Sequence, residues 1–210
     1  MNTEKRDFNK EAAAWDENPV RVKLAQDVAN AIKKQIELIP DMDVMDFGCG
    51  TGLLTLQIQP SVHSITGIDN SLSMLDILNS KISKLNLCNT NSLFVDLDKG
   101  DILKGKYDLV VSNMTLHHIK ELDSLLNQFY NILKPDGYLC LCDLDLEEGK
   151  FHNDNTGVFH FGFSREELRE NYINAGFVNI TDITAAEITK PTVDGEMKTF
   201  TVFLMAGRKK

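Results

Sequence analysis

Residues Val44-Met45-Asp46-Phe47-Gly48-Cys49-Gly50-Thr51-Gly52 constrain the fold of this chain more than any other stretch. A short apolar run ends in an acid, and three glycines follow at alternate positions. Leu53, Leu54, Leu56 and Ile58 then begin a helix-like segment. Strand, tight turn and helix in that order make the opening half of a nucleotide-binding βαβ unit. Glycines at alternate positions let the backbone turn sharply and let a ligand approach where a Cβ would block it.

The spacing is G-x-G-x-G rather than the dinucleotide fingerprint G-x-G-x-x-G, and an acid stands two residues before the first glycine. A pyrophosphate needs open amides at a helix N-terminus. A ligand with an ammonium and a carboxylate needs a close-fitting backbone loop with an acid nearby. A second apolar segment, Ser64-Ile65-Thr66-Gly67-Ile68-Asp69, also ends in an acid, 17 residues after Gly52. An acid there accepts hydrogen bonds from ribose hydroxyls in nucleotide-binding α/β folds; the plainer alternative is a surface turn. Asn70-Ser71-Leu72-Ser73-Met74-Leu75 then reads as a helix start with Ser71 as N-cap.

The rest of the chain continues the alternation. A helix is predicted from about Pro19 to Leu38, with proline in its first turn and Val20, Leu24, Val28, Ile32 and Ile36 in one stripe. Strands follow over about 43–47 and 64–69, with a short helix to Gln59 between them and a helix over about 71–86 after them. Ser92 to Asp96 is predicted as the third strand and Tyr107 to Asn113 as the fourth, an apolar run suited to a buried parallel sheet. A helix over about 120–133, a turn at Lys134-Pro135-Asp136-Gly137 and a strand from Tyr138 to Leu144 come next. Ser164-Arg165-Glu166-Glu167 is a capping box, and Gly176 supplies the left-handed residue that ends its helix. Two final strands, 177–188 and 198–206, are joined closely enough to be antiparallel.

Composition sets outer limits. A chain of 210 residues suffices for one α/β domain with a sizeable core. No apolar run approaches the roughly 20 residues of a membrane span, and the polar N-terminus lacks an apolar signal core, so a cytoplasmic location is expected. The net charge of −9 argues against nucleic-acid substrates, which draw affinity from Lys and Arg contacts to phosphate. The four cysteines form no C-x-x-C, which favours small buried thiols over a metal site or disulfide. No C-x-x-x-C-x-x-C is present to hold an iron–sulfur cluster for radical chemistry.

Taken together, Asp46 to Gly52, Asp69-Asn70-Ser71 with Met74-Leu75, Tyr107-Asp108-Leu109-Val110 and Ile132-Leu133-Lys134-Pro135-Asp136-Gly137 resemble the ordered blocks of class I S-adenosylmethionine-dependent methyltransferases. The resemblance covers residues from about 40 to 206. It implies a Rossmann-like, doubly wound sheet of seven strands in the order 3-2-1-4-5-7-6, mostly parallel with one antiparallel strand. The whole chain would be one domain, with residues 1–39 as an N-terminal lid and helix on a core of 40–210. The cofactor implied is S-adenosyl-L-methionine. Its binding set would be Asp46, Gly48, Cys49, Gly50 and Gly52 in the loop, Asp69, Asn70 and Met74 after the second strand, Asp96 and Leu97 at the adenine, and Asn113. Asp98 and Asp101 lie close enough to Asp96 to take its place.

Methyl transfer asks the protein for alignment and desolvation, and for a base only where the acceptor must lose a proton. His117 and His118 follow the fourth strand and are the candidate catalytic residues; the alternative is a helix cap and a packed ring. A second candidate region is the loop over 150–162, with His152, His160 and several phenylalanines, which suggests an apolar acceptor pocket. Phe8 and Trp15 could close that pocket from the N-terminal side. No tight His/Asp/Glu spacing suggests a metal. The fourth strand ends Ser112-Asn113-Met114-Thr115, without the Asn-Pro-Pro-aromatic block of amide and adenine methyltransferases, and no Pro-Cys pair serves cytosine. A small-molecule acceptor is therefore expected. Two other readings remain open: a non-catalytic cofactor-binding or regulatory subunit, and an NAD-dependent oxidoreductase, which the glycine spacing and the missing Tyr-x-x-x-Lys disfavour.

Overall fold

The computed structural model describes residues 6–210. Seven strands form one sheet in the order β3-β2-β1-β4-β5-β7-β6. They are β1 Asp43–Phe47, β2 Ser64–Asp69, β3 Thr90–Phe94, β4 Tyr107–Asn113, β5 Leu133–Leu144, β6 Phe177–Pro191 and β7 Met197–Lys209. The first five pair in parallel, and β7 runs antiparallel to both β5 and β6. The expected strand order and polarity are therefore observed.

Helices cover both faces because the central strands are apolar on both. On one face α1 (Pro19–Gln35) buries Leu24, Val28 and Ile32 against Val44, Leu109, Val111, Cys140 and Cys142. On the other, α4 (Leu122–Ile132) and α5 (Arg165–Asn174) bury Leu125, Leu126, Phe129, Leu168 and Tyr172 against Met45, Val110, Leu139 and Leu141. Both cysteines of the Cys140/Cys142 pair lie on the α1 face, and all four thiols are free. Between them come the short α2 (Thr55–Ile58) and α3 (Leu72–Leu85), which packs Leu75 and Leu78 on Cys49.

Several boundaries differ from the sequence expectation. α1 ends at Gln35, and Val20 at its start is exposed rather than part of the buried stripe. β3 lies two residues earlier than expected, which leaves Asp96 just beyond the strand as the cap of a 3-10 turn. Lys134-Pro135-Asp136-Gly137 does not separate α4 from β5. It is a bulge inside β5, where Leu133 pairs with Tyr107 and pairing resumes at Tyr138 opposite Leu109. Asp136 takes the left-handed backbone this requires (φ 66°). The closing hairpin is longer than its apolar alternation showed, because Lys190-Pro191 and Met197-Lys198 pair beyond it.

Candidate active site

The ends of β1, β2 and β4 meet where strand order reverses, the switch point of an open α/β sheet. The glycine loop leaves β1 there. Gly48, Gly50 and Gly52 all have positive φ, at 70°, 52° and 84°. They differ in what surrounds them. A Cβ on Gly48 would lie 2.2 Å from Thr115 Oγ1, and one on Gly52 would lie 2.4 Å from Leu78 Cδ1. A Cβ on Gly50 would meet nothing nearer than Met74 Sδ at 3.9 Å. Two glycines are thus needed by packing, and the middle one faces open space.

Asp69 at the end of β2 is tied to this loop. Its Oδ2 accepts from the Gly50 amide at 2.8 Å and its Oδ1 from the Ser71 amide at 2.8 Å. Ser71 caps α3 by accepting from the Met74 amide. Asp46 sits deeper. It is 1 % exposed and accepts from Thr55 Oγ1 at 2.6 Å, so it braces the loop from beneath. Burial, with the Asp69 carboxylate adding to it, lifts its pKa to about 7 despite the Thr55 hydrogen bond. Cys49 is buried under the loop, and burial pushes its thiol well up. Met74 is buried beside Gly50, whereas Asn70 is exposed at the cavity mouth. Asp96 is buried; its amide donates to Asp101 Oδ2 at 2.9 Å, and half-buried Leu97 follows. Asn113 at the end of β4 holds a buried Oδ1 with no hydrogen-bond partner.

The two histidines after β4 separate in role. His117 is buried, with Nδ1 2.7 Å from Asp143 Oδ1 and its amide on Asp143 Oδ2. His118 is half-buried, and its Nδ1 donates to the Gly157 carbonyl at 2.7 Å. Burial, then the neighbouring His117, lowers the His118 pKa to about 4. His152 from the loop after β5 joins them, with ring centroids 4.9 Å from His117 and 5.9 Å from His118. Asp143 is a site residue the sequence reading missed. An acid inside the apolar run Leu141-Cys142-Asp143-Leu144 was the available signal, since a buried carboxylate requires a partner.

The N-terminal segment crosses the strand ends. Asp16 accepts from Thr51 Oγ1 at 2.6 Å and pairs with Lys81. Asn9 Oδ1 accepts from Ser71 Oγ at 2.9 Å and from the Ser73 amide. Phe8 packs edge-on against both Trp15 and His118. A cavity of about 250 Å³ remains between Arg6, Asp7, Phe8, Asn9, Asn70 and Ser71. The part of the expected lid over residues 1–5 lies outside the described residues. Asn9 and Asp16 carry no pattern in the sequence because their partners lie 35 to 65 positions away.

The aromatic loop does not form one apolar pocket. Phe151 packs on Phe200, and Phe163 is buried against Phe203, while Phe159 and Phe161 are 44 % and 46 % exposed. His160 turns its Nε2 to the Ile119 carbonyl. The backbone of this loop is tied down on both sides: Phe159 and His160 donate to the His117 carbonyl, and the Phe161 carbonyl accepts from the Glu147 amide.

Comparison with known proteins agrees with this geometry. A family model described as a methyltransferase domain matches residues 20–181. An uncharacterized methyltransferase of Schizosaccharomyces pombe is 33% identical over 161 residues, covering 70% of this chain and 57% of that protein. A malonyl-[acyl-carrier protein] O-methyltransferase of Calditerrivibrio nitroreducens is 30% identical, covering 67% of this chain and 54% of that protein. The chain thus spans little more than half the length of these relatives. Among solved structures, the complex between the Haloferax volcanii Trm112 methyltransferase activator and the "putative methyltransferase" aligns with a TM-score of 0.76 at 19% identity, over 96% of this chain and 95% of that one. A Haemonchus contortus phosphoethanolamine N-methyltransferase in complex with S-adenosyl-L-methionine aligns with a TM-score of 0.71 at 16% identity, over 97% and 59%. The chain belongs to the methyltransferase domain family and has the class I S-adenosylmethionine-dependent methyltransferase fold.

Proposed function

We propose that this chain binds S-adenosyl-L-methionine at the strand ends and directs its methyl group to a small-molecule acceptor held under the loop over 150–162. The observation that carries this is the open Gly50 backbone beside Asp69, together with the unpartnered Oδ1 of Asn113 at the end of β4. An amide oxygen buried without a donor suits an ammonium group. Asp69 would meet the ribose hydroxyls, the part that an acid at the end of the second strand plays in nucleotide-binding α/β folds. Asp96 and Leu97 would flank the adenine, and Cys49 and Met74 would form the loop's apolar underside.

When bound, the cofactor supplies an electrophilic methyl on a sulfonium. The protein's part is alignment and exclusion of water. Phe8 packs on Trp15 and on His118, and His118 lies beside His117 and His152, so these rings would line the acceptor side of the site. The malonyl-[acyl-carrier protein] O-methyltransferase relatives support a small or carrier-bound acceptor, and the net charge of −9 supports one that is not a nucleic acid. Among the described residues no helix is long and apolar enough to cross a membrane.

Titration calorimetry tests the reading. S-adenosylmethionine and S-adenosylhomocysteine should bind and NAD should not. NAD binding without S-adenosyl ligand binding overturns it. Tight S-adenosyl binding with no transfer to any acceptor would instead favour a non-catalytic cofactor-binding subunit.

A further inference from the structure

We infer that the acceptor atom at this site is a hydroxyl oxygen, gripped between an unprotonated nitrogen of His118 and an N–H of His152. This rests on the methyl-transfer reading above. The assignment follows from which partner each ring has. The Gly157 carbonyl can only accept, so His118 carries its proton on Nδ1, and Nε2 is left with a lone pair. The Arg6 guanidinium can only donate, and its Nη1 lies 3.4 Å from His152 Nδ1. His152 therefore carries its proton on Nε2, and that nitrogen is buried with no partner. A buried donor without an acceptor is costly unless a ligand completes it.

The groups facing these rings keep them neutral. His118 and His152 meet His117 and Arg6, with Asp143 behind His117 and Lys190 of β6 near His152. Burial first, then the positive charge around it, lowers His152 to about 3. Arg6 is itself satisfied by Glu11, with Nε to Oε1 at 2.7 Å, so it is not presented as an anion site.

One lone pair and one N–H select among acceptors. A carboxylate has no proton for His118 and would set lone pair against lone pair. An ammonium has no lone pair for His152 and would face Arg6 and Lys190. A neutral amine has a single lone pair; given to His152, none remains for attack. A thiol accepts hydrogen bonds weakly. A hydroxyl oxygen has a proton for His118, one lone pair for His152 and a second for the methyl carbon. As that second pair forms the C–O bond, the sulfonium C–S electrons return to sulfur and the hydroxyl proton passes to His118 Nε2. A base as weak as His118 suffices, because the proton grows strongly acidic as the oxygen is alkylated.

Two measurements test this. Nitrogen-15 NMR of histidine-labelled protein at pH 7 should show His118 as the Nδ1–H and His152 as the Nε2–H tautomer. Arg6→Met should release the His152 preference. The second incubates the protein with methyl-labelled S-adenosylmethionine and a deproteinised cell extract, then treats the labelled product with alkali. A methyl ether survives, and a methyl ester releases labelled methanol. His152→Phe should lower turnover about tenfold or more with S-adenosylmethionine affinity unchanged, and His152→Gln, which keeps an N–H, should restore most of it. An ester or methylamine product, or His152 protonated or on Nδ1 at pH 7, overturns the inference. Bound cofactor with no labelled product overturns the methyl-transfer reading beneath it.

Discussion

His117 Nδ1 lies 2.7 Å from Asp143 Oδ1, and the two side chains are 1% and 0% exposed. The pair joins the turn after β4 to the end of β5 and forms the floor on which the His118 ring rests, 4.2 Å away between centroids. Asp143 also accepts from the His117 and Leu144 amides. Removing the carboxylate would orphan three buried donors.

Asp143→Leu should therefore destabilise the fold by about 3–5 kcal/mol, the range for breaking a buried pair. Burial alone would raise the Asp143 pKa, but the charge and hydrogen bonds of His117 outweigh it and the net shift is downward. A carboxylate with a lowered folded pKa adds stability above its unfolded pKa and loses it as pH falls through the folded value. Urea melts of parent and variant should differ most near neutral pH and converge in strong acid. A loss under about 1 kcal/mol at pH 7 would show that the pair contributes little net stability.

The opposite sign holds at Asp46. Its folded pKa, about 7, stands above the unfolded value near 3.9. Between those values the folded protein holds a proton that the unfolded chain has released, so stability falls as pH rises. Asp46→Asn keeps an oxygen for Thr55 and removes the titration. The variant should gain on the parent between pH 5 and pH 8, by on the order of 1–4 kcal/mol. A stability difference that does not change across that interval rules this out.

Much of this architecture was legible because the signals are local. Asp46 to Gly52 and Ser64 to Asp69 each carry strand, turn and acid within one short window, and their spacing is set by the βαβ crossover. Ser71 and Ser164 announce their helices through capping chemistry that acts three residues away. The bulge at Lys134 to Gly137 was misread because its proline and glycine have the composition of a turn, while its pairing with Tyr107 depends on a distant strand. Asn9, Asp16 and Asp143 gain their meaning only from partners far along the chain. The exposure of Phe159 and Phe161 beside the buried Phe163 is not encoded in aromatic content.

The three loop glycines should respond differently to one methyl group. Gly48→Ala and Gly52→Ala force a Cβ into Thr115 and Leu78, and both should lose stability by a few kcal/mol. Gly50→Ala meets only the left-handed backbone penalty, about 1–2 kcal/mol, and should stay folded. Yet its Cβ projects into the space assigned to the cofactor. S-adenosylhomocysteine affinity measured by calorimetry should fall at least tenfold in the Gly50 variant. Undiminished affinity there would place the ligand elsewhere.

The N-terminal segment provides the last test. Its 3-10 turns Phe8–Lys10 and Ala12–Glu17 have few hydrogen bonds of their own and are held mainly by Asp16 on Thr51 and Lys81 and by Asn9 on Ser71 and Ser73. Such contacts, partly exposed, are weak individually, which suits a cover that must open for ligand exchange. Amides over 8–17 should exchange quickly in the free protein and slow when S-adenosylhomocysteine is added. Asp16→Ala should speed that exchange and weaken ligand affinity, with global stability changed by less than about 1 kcal/mol. The sheet does not include this segment, so β1, β4 and β5 should keep their protection throughout. Equal protection of residues 8–17 with and without ligand would make the segment fixed structure. Its hydrogen bonds to the glycine loop and to α3 would then belong to the fold and have no part in ligand capture.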